Sequence, residues 1–490
     1  MAYHSYQKET AWKIIYSRFN GVEKRAVELL SRELGEKVNR AAEVYTLHVL
    51  PCEIENESSQ VDINAIVIGT YSESALIRGY VTKEEAEANA YIIKVVRNPQ
   101  HNEGSIVLIT SEKDELLYRA AARFLDDYTE EFAPLHGGMR LTCELFKEVL
   151  KEATIYGKIC CEKRSIFAWG HAINNYREFI RHMARQGLNQ LILWNDYAPL
   201  NAEEIVDYAH SFGIEIIWGY AWGWSEGACS KIGTPDKETL RKLKIEVLNQ
   251  YDRVWRGKGD GIYFQSFTEM HTDNIDGLPV AKTVTDFVND VAKELYKRDP
   301  SLHLQFGLHA TSVKEHAEDI ARVDPRIEIL WEDCGVFPYA YVPQKSEDAA
   351  FEQMLAFTEK ILTLRPEAPV GLVFKGFATL DWTNGRFIHQ RGSFILGDNT
   401  TALTEHDRRL RSDAWRNFDA GWIKHGEAAR KVAEFACKLN GGRLNLCMAG
   451  LFDGGIYLSE AICTEIFENP ERKFEDIVEL VGKRKCVRKN

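Results

Sequence analysis

The sequence lacks the features that mark a membrane or secreted protein. No uninterrupted apolar run approaches the roughly 20 residues that a bilayer-spanning helix needs. Residues 1–10 contain no basic region leading into an apolar stretch, so the sequence predicts neither a signal peptide nor an anchor. We therefore expect a cytoplasmic protein with no membrane partner.

An excess of positive charge is also missing. The chain has 61 Lys and Arg residues against 73 Asp and Glu residues, which gives a formal net charge of −12 and a pI near 5.7. Proteins that bind nucleic acids usually present clustered positive charge to the phosphate backbone. The charge balance therefore predicts no nucleic-acid partner.

Several short motifs are absent as well. The ten cysteines include no CxxC pair, and the neighbours Cys160 and Cys161 are adjacent, a poor geometry for a disulfide with each other. We predict reduced, mostly buried thiols. No HExxH motif occurs, and no glycine-rich loop follows the first barrel-type strand. These absences argue against a zinc site of that type and a dinucleotide-binding sheet.

What is present is an ordinary globular composition in a long chain. With 490 residues, 45% hydrophobic and 27% charged, the chain is large enough for more than one domain. Residues 1–140 predict a small α/β domain, and residues 141–163 predict a linker with one helix. The apolar spacing in the first region predicts these elements: helices over 22–34 and 112–132, and strands over 45–50, 65–69, 90–96 and 105–110.

Residues 164–400 alternate short apolar strands with helices, the pattern of parallel strands joined by crossover helices. The predicted strands are 165–170, 188–195, 213–218, 261–267, 301–307, 326–331, 370–377 and 393–397. Eight such units predict a (β/α)8 TIM barrel, with an open doubly wound sheet as the alternative. Residues 401–490 predict a C-terminal helical region packed on the barrel.

Polar and aromatic residues recur at the carboxyl ends of these strands, where a TIM barrel carries its active site. Seven of the eleven tryptophans lie there. Indoles stack on the C–H faces of sugar rings, and carboxylates and amides bind sugar hydroxyls, so we predict a carbohydrate ligand. The predicted binding residues are His171, Trp194, Asp196, Trp222, Trp224, Gln265, His271, His309, Trp331, Lys375, Asp381 and Trp382.

Hydrolysis of a glycosidic bond needs a protonated carboxylic acid and a second carboxylate that acts as base or nucleophile. Glu269 suits the acid, because it follows an apolar strand and an apolar setting raises the pKa of a carboxyl group. The second group could be Asp333, Glu332 or Asp196, and we favour Asp333 as the residue at a strand tip. No cofactor is predicted.

Two other functions use the same strand ends. A catalytic metal could be held by His171, His271, His309, Glu269 and Asp196, although no HxH motif ends the first strand. A barrel of this kind could also bind carbohydrate without cleaving it. A Schiff base would rest on Lys375 alone.

The layout resembles glycoside hydrolases in which a small α/β domain precedes a TIM barrel: the family 20 β-N-acetylhexosaminidases and the α-glucuronidases. Residues 65–70 (AIVIGT) look like a strand of their shared noncatalytic domain. Residues 202–217 (AEEIVDYAHSFGIEII) look like the helix and third strand of a hexosaminidase barrel.

Hexosaminidases carry an Asp-Glu pair at the tip of the fourth strand, and Thr268 and Glu269 match it here. The resemblance therefore implies the acid but not the carboxylate that polarises the substrate's acetamido group. The run 262–269 is also similar to the α-glucuronidase strand that carries the acid. That pattern implies Asp333, or less readily Asp381, as base, with Lys375, His309 or Arg391 facing a sugar carboxylate.

The sequence thus predicts an intracellular, exo-acting glycoside hydrolase. Its expected substrate is a terminal sugar of N-acetylhexosaminide or glucuronide type on a short oligosaccharide or glycoside. The small domain and the terminal helices offer surfaces for a homodimer.

Overall fold

The computed structural model contains a small mixed sheet and a closed barrel of eight parallel strands. The structure describes residues 12–41, 52–57, 61, 64–100, 105–128, 134–135, 138–139, 153–169, 173, 175–194, 197–223, 236–268, 270, 272–275, 277–309, 312–332, 348–377, 401–450 and 452–488. Within these residues, no helix has the length and apolar character needed to cross a membrane.

The small domain is built on a six-stranded sheet. Its strands are β1 (Trp12–Tyr16), β2 (Cys52–Asn56), β3 (Asn64–Thr70), β4 (Tyr91–Arg97), β5 (Ser105–Ser111) and β8 (Ala153–Gly157), and short β6 (Pro134–Leu135) and β7 (Gly138–Met139) form a separate pair. Its helices are α1 (Gly21–Ala41), α2 (Ala75–Arg78), α3 (Lys83–Ala88) and α4 (Leu117–Arg123). The sheet order is β2-β1-β3-β5-β4-β8, with β4 antiparallel to both of its neighbours.

The sheet differs from the prediction at both ends of its strand order. β1 and the edge strand β2 were not predicted, and the predicted strand 45–50 lies outside the described residues. Residues 153–157 form β8, which pairs with β4, so this part of the predicted linker completes the small sheet. The apolar residues that alternate along a short edge strand are few, which makes such a strand hard to recognise from its own sequence.

The barrel confirms the predicted TIM fold. Its strands in chain order are β9 (Lys163–Trp169), β10 (Gln190–Trp194), β11 (Glu215–Ala221), β12 (Gly261–Gln265), β15 (His303–Leu308), β16 (Glu328–Trp331), β17 (Val370–Phe377) and β18 (Leu444–Gly450). β13 (Asn274–Ile275) and β14 (Leu278–Pro279) form a hairpin between the fourth and fifth barrel strands. The helices are α5 (Tyr176–Arg185), α6 (Ala202–His210), α7 (Lys237–Gln250), α8 (Val280–Arg298), α9 (Ala317–Ile320), α10 (Asp348–Leu364), α11 (Thr401–Leu410), α12 (Ser412–Asn440), α13 (Leu458–Glu468) and α14 (Phe474–Lys483).

The eighth strand was predicted in the wrong place. The closing strand is β18, which pairs with β17 on one side and β9 on the other. It lies in the region 401–490 that was predicted to be helical, and the predicted strand 393–397 lies outside the described residues. All seven residues of β18 (LNLCMAG) are buried, and the long helix that precedes this mostly apolar strand made it hard to recognise from the sequence.

The cysteine prediction was also wrong at one pair. Cys160 and Cys437 form a disulfide across 277 residues, whereas Cys161, Cys447, Cys463 and Cys486 are free thiols. Sequence spacing could not reveal the pair, because it joins the segment before β9 to the end of α12. The disulfide lines a cavity of about 940 Å³ between the small domain and the amino-terminal end of the barrel. That cavity is at the opposite end from the predicted active site.

Candidate active site

The interior of the barrel is arranged in layers, because alternate residues of each strand point inward. A middle layer is apolar and contains Phe167, Ile192, Ile217, Tyr263, Leu330, Val373, Cys447 and Ala449. Two residues further along the strands, the next inward positions include Trp194, Gln265, Gly307, Glu332 and Lys375. The register of the neighbouring strands therefore brings these residues together at the carboxyl end of the barrel.

Glu332 is the centre of this polar layer. Its Oε1 accepts hydrogen bonds from the hydroxyl of Tyr263 and from Nε2 of Gln265, the latter at 2.6 Å. Its Oε2 lies 2.8 Å from Nζ of Lys375 and 3.2 Å from Nε2 of His309. Each oxygen of the carboxylate thus faces two polar side chains: Oε1 faces two from β12, and Oε2 faces Lys375 of β17 and His309 at the end of β15.

These contacts determine the charge of the layer. Burial alone would raise the pKa of Glu332, but Lys375 and His309 outweigh it and hold that pKa well below its ordinary range. Burial, and then the Glu332 carboxylate, raise the pKa of Tyr263 well above its ordinary value. At neutral pH Glu332 is therefore ionised and Tyr263 keeps the proton that it donates.

Two glycines make room for this arrangement. A Cβ at Gly307 would overlap both the Tyr263 hydroxyl and the Glu332 carboxylate. A Cβ at Gly219 would lie 2.9 Å from the indole of Trp194. Residues without side chains on β15 and β11 thus allow bulky neighbours to extend across the barrel interior.

Trp194 is the predicted aromatic residue that belongs to this site. Its ring contacts Phe167 and Tyr263, with centroids 6.5 Å and 5.8 Å apart. The residue is partly exposed, whereas the apolar layer beneath it is fully buried. Its exposed surface is available to a ligand at the carboxyl end of the barrel.

Two other predicted binding residues face away from the barrel interior. Trp222 is fully buried and stacks on Phe264, with ring centroids 3.6 Å apart and planes 6° from parallel. Trp331 is 2% exposed and contacts Phe357 of α10 at 5.1 Å between centroids. Along β16, Glu332 points inward and its neighbour Trp331 therefore points outward. Both indoles pack in the layer between barrel and helices, which corrects the prediction that they face the ligand.

The structure brings Gln265, His309 and Lys375 together at the carboxylate of Glu332, and their role in binding a ligand stays a prediction. Nε2 of Gln265 also lies 3.4 Å from Nε2 of His309. The three side chains are mostly buried but retain 6–10% of their surface exposed, whereas Glu332 has none. A ligand entering this end of the barrel reaches them before it reaches Glu332.

Thr268 lies at the position where hexosaminidases carry an aspartate. It is fully buried; its hydroxyl accepts a hydrogen bond from the backbone N–H of His309 at 3.5 Å, and its backbone carbonyl accepts one from the hydroxyl of Ser312. Thr268 therefore connects the ends of β12 and β15. The remaining predicted residues lie outside the described residues: Glu269, Asp333, His171, Asp196, Trp224, His271, Asp381 and Trp382.

The described residues contain no group of three or more His, Cys, Asp or Glu side chains that could hold a metal ion. Of the metal ligands considered from the sequence, His309 is described, and its Nε2 contacts Glu332 together with the ammonium group of Lys375. A cation at that carboxylate would face the positive charge of Lys375.

Sequence reasoning missed Tyr263 and Gly307. Tyr263 lies two residues before Gln265 on the same strand, so the period of two places both side chains on one face. That spacing was a usable signal for Tyr263. Gly307 gave no such signal, because its role depends on side chains from two other strands.

No protein-family model matches the sequence, and no curated protein matches it. Two solved structures are similar in part. One is described as "Structure of CpGH84D": it has 12% sequence identity and a TM-score of 0.45, and the match covers 89% of this chain and 66% of that one. The other is described as a GH138 enzyme targeting pectin rhamnogalacturonan II, with 9% identity and a TM-score of 0.42; the match covers 90% of this chain and 46% of that one. Both are named as members of glycoside hydrolase families.

Proposed function

We propose that this protein is a glycoside hydrolase that removes a terminal sugar from a short oligosaccharide or glycoside. One observation carries the proposal: Lys375, His309 and Gln265 meet at the carboxyl end of a closed TIM barrel, beside the partly exposed indole of Trp194. This combines N–H donors for sugar oxygens with an aromatic surface for the C–H face of the ring.

The enclosed setting favours recognition of a single sugar unit. The polar side chains come from adjacent strands β12, β15, β16 and β17 and converge on one carboxylate, so their contact surface is compact. A groove for a long polymer would need binding groups spread along the barrel mouth. We therefore propose exo action on a terminal residue, of N-acetylhexosaminide or glucuronide type.

In the proposed reaction, Glu269 donates a proton to the glycosidic oxygen as the bond to the anomeric carbon breaks. In the same displacement Asp333 acts either as the base that removes a proton from the attacking water, or as the nucleophile that forms a glycosyl ester; in the second case Glu269 then takes a proton from the water that hydrolyses the ester. Both routes yield the free sugar and the protonated leaving group. Each residue directly follows a described one, Thr268 and Glu332 respectively.

The test is a turnover screen of the purified protein against nitrophenyl glycosides: N-acetylglucosaminide, N-acetylgalactosaminide, glucuronide and neutral hexosides. The variants are Glu269→Gln and Asp333→Asn, with Glu367→Gln as the matched control because that side chain is 87% exposed. We expect turnover of at least one glycoside, reduced about 10²–10⁴-fold in the first two variants and unchanged in the control.

The wild-type protein could turn over none of these glycosides and still release heat on binding a free sugar in calorimetry. That result would support a carbohydrate-binding barrel without hydrolytic activity. Turnover that survives Glu269→Gln would remove Glu269 from the mechanism. Turnover that requires an added divalent cation would favour the metal-dependent alternative.

A further inference from the structure

Glu332 was one of three candidates for the second catalytic carboxylate, and its surroundings argue against that role. It directly follows β16, which lies between β15 and β17, and groups from both of these strands and from β12 converge on it. A nucleophile must reach the anomeric carbon, and a base must contact the attacking water. Glu332 has no exposed surface for either contact.

Polar side chains lie against both oxygens of Glu332. Tyr263 and Gln265 donate hydrogen bonds to Oε1, while Oε2 is in ion-pair contact with Lys375 and His309. These four side chains surround the carboxylate, and its Oε2 atom is fully buried. To act on a substrate, Glu332 would have to lose partners that also keep it ionised.

A glycine in the barrel wall provides the space for the side chains around Glu332. Gly307 lies on β15 beside the Tyr263 hydroxyl and the Glu332 carboxylate, and any Cβ there would overlap both groups. The absence of a side chain at one inward position thus allows Tyr263 to reach Glu332 across the barrel. Tyr263 thus contacts Glu332 from the side of the apolar middle layer, whereas Lys375 and His309 lie nearer the carboxyl end of the barrel.

We propose that Glu332 is a positioning residue, whose buried carboxylate holds the ammonium group of Lys375 and the imidazole of His309 where they bind the substrate. This inference rests on the proposed function and deepens it, since it assigns sugar recognition to Lys375 and His309. Of the three candidates for the second catalytic carboxylate, this leaves Asp333, which we favour, and Asp196. An ammonium group carries three N–H donors, so Lys375 can contact a ligand oxygen as well as Glu332.

The first test compares steady-state constants of Glu332→Gln and Asp333→Asn on the best nitrophenyl substrate. A positioning role predicts that Glu332→Gln raises KM about tenfold or more with a smaller change in kcat. Without the carboxylate, Lys375 and His309 are no longer held in place, and their charged hydrogen bonds to the substrate are lost. Asp333→Asn should instead lower kcat with little change in KM. A large loss of kcat in Glu332→Gln, with KM unchanged, would overturn the inference.

Two further measurements separate positioning from direct action. Azide should not restore activity to Glu332→Ala, because an external anion replaces a nucleophile or base but not a buried support. In a double-mutant cycle with Lys375→Met, the two substitutions should be non-additive in kcat/KM, since Glu332 acts through Lys375. Azide rescue, or full additivity of the two effects, contradicts the proposal.

Glu332→Gln could fail to fold, and Tyr263→Phe then replaces it. This variant keeps the ring but removes one donor to Glu332, so KM should rise about two- to fivefold at nearly constant kcat. An unchanged KM in folded Tyr263→Phe counts against the inference.

Failure of the proposed function can be recognised separately. If the wild-type protein turns over no glycoside, the same variants are compared by calorimetry with free sugars, where Glu332→Gln should weaken affinity about tenfold. If no sugar binds, trace acetylation with acetic anhydride and mass spectrometry reports on Lys375 directly. Glu332→Gln should increase labelling of Lys375, because the carboxylate that holds its ammonium group in place is gone. Unchanged labelling overturns the inference.

Discussion

Arg119 and Glu468 form a two-point ion pair that joins the small domain to the barrel: Nε of Arg119 lies 2.6 Å from Oε1 of Glu468, and Nη2 lies 2.8 Å from Oε2. Arg119 belongs to α4, and Glu468 is the last residue of α13. One turn earlier on α13, Glu465 contacts Arg119, Arg123 and Arg484. A buried network of charges therefore fixes the small domain against the last helices of the barrel.

Glu465→Gln should destabilise the protein strongly. Glu465 is 2% exposed and is the shared partner of Arg119, Arg123 and Arg484, so its loss leaves these buried guanidinium groups with less negative charge than they carry positive charge, even though Glu468 and Asp127 remain. We expect the free energy of unfolding to fall by about 3–5 kcal/mol. Urea unfolding measures it, with Glu471→Gln as control because that side chain is 63% exposed and should change stability by less than about 1 kcal/mol. Equal effects of the two variants would contradict the role of the network.

The same residue predicts how stability depends on pH. Burial alone would raise the pKa of Glu465, but Arg123, Arg484 and Arg119 hold it well below its ordinary value of 4.5. Its contribution is therefore complete above pH 4.5, where the unfolded chain is also ionised, and is lost as the pH falls below that value. Urea unfolding between pH 7 and pH 3 should show this loss, and Glu465→Gln should show a shallower one. Parallel curves for the two proteins would exclude Glu465 as the cause.

The Cys160–Cys437 disulfide predicts a stabilised native state. Replacement of Cys437 by Ser should lower the free energy of unfolding by about 2–4 kcal/mol, because the bond restricts the unfolded chain. Mass spectrometry of the non-reduced protein should find one peptide that joins the two cysteines. Structural disulfides persist mainly in oxidising compartments, so this bond is in tension with the predicted cytoplasmic location. Cys486→Ser, at a free thiol, is the control.

The positions of two tryptophans predict separate effects on binding and stability. Trp194→Ala should weaken sugar affinity about three- to tenfold, as expected for a lost ring contact. Trp331→Phe should leave affinity unchanged and lower the free energy of unfolding by about 1–3 kcal/mol, because it opens space beside Phe357. Calorimetry with the best sugar and urea unfolding measure the two effects. Reduced affinity in Trp331→Phe would place that residue in the ligand site after all.

Gly307→Ala should disrupt the polar layer, because the added methyl group overlaps the Tyr263 hydroxyl and the Glu332 carboxylate. We expect KM to rise at least as much as in Tyr263→Phe, and the free energy of unfolding to fall by about 1–3 kcal/mol. Gly482→Ala is the matched control: it lies in α14 with no atom within 4 Å of the added methyl group, so it should be neutral or stabilising. Unchanged kcat and KM in Gly307→Ala would contradict this prediction, because they would show that Tyr263 and Glu332 accommodate the methyl group without loss of substrate binding.

The barrel could be predicted from the sequence because its buried parallel strands are short, nearly continuous apolar runs. The location of the candidate site was inferred from the fold, and Gln265, His309 and Lys375 were recognised as residues at strand ends. It was harder to predict whether each side chain points into the barrel or toward the surrounding helices. Trp222 and Trp331 lie at strand ends like Trp194, yet a shift of one residue turns a side chain from the barrel interior to the helix layer.

The Glu332 cluster could not be predicted, since its partners are separated by tens of residues and meet only through strand register. Tyr263 is 69 positions from Glu332. The eighth strand was missed for a different reason: residues 401–440 are helical, and a short apolar run after two helices looked like part of the same helical region.

The late position of β18 constrains how the chain can fold during synthesis. β9 needs β18 as a neighbour, and the two are separated by about 280 residues. At ribosomal rates of about 5–20 residues per second, β18 is synthesised roughly 15–60 s after β9. Until then the nascent chain carries seven strands with two open edges, which invite pairing with other chains. The small domain, complete by residue 157, can fold during this interval, whereas a fragment that ends at residue 400 never closes its barrel and should aggregate.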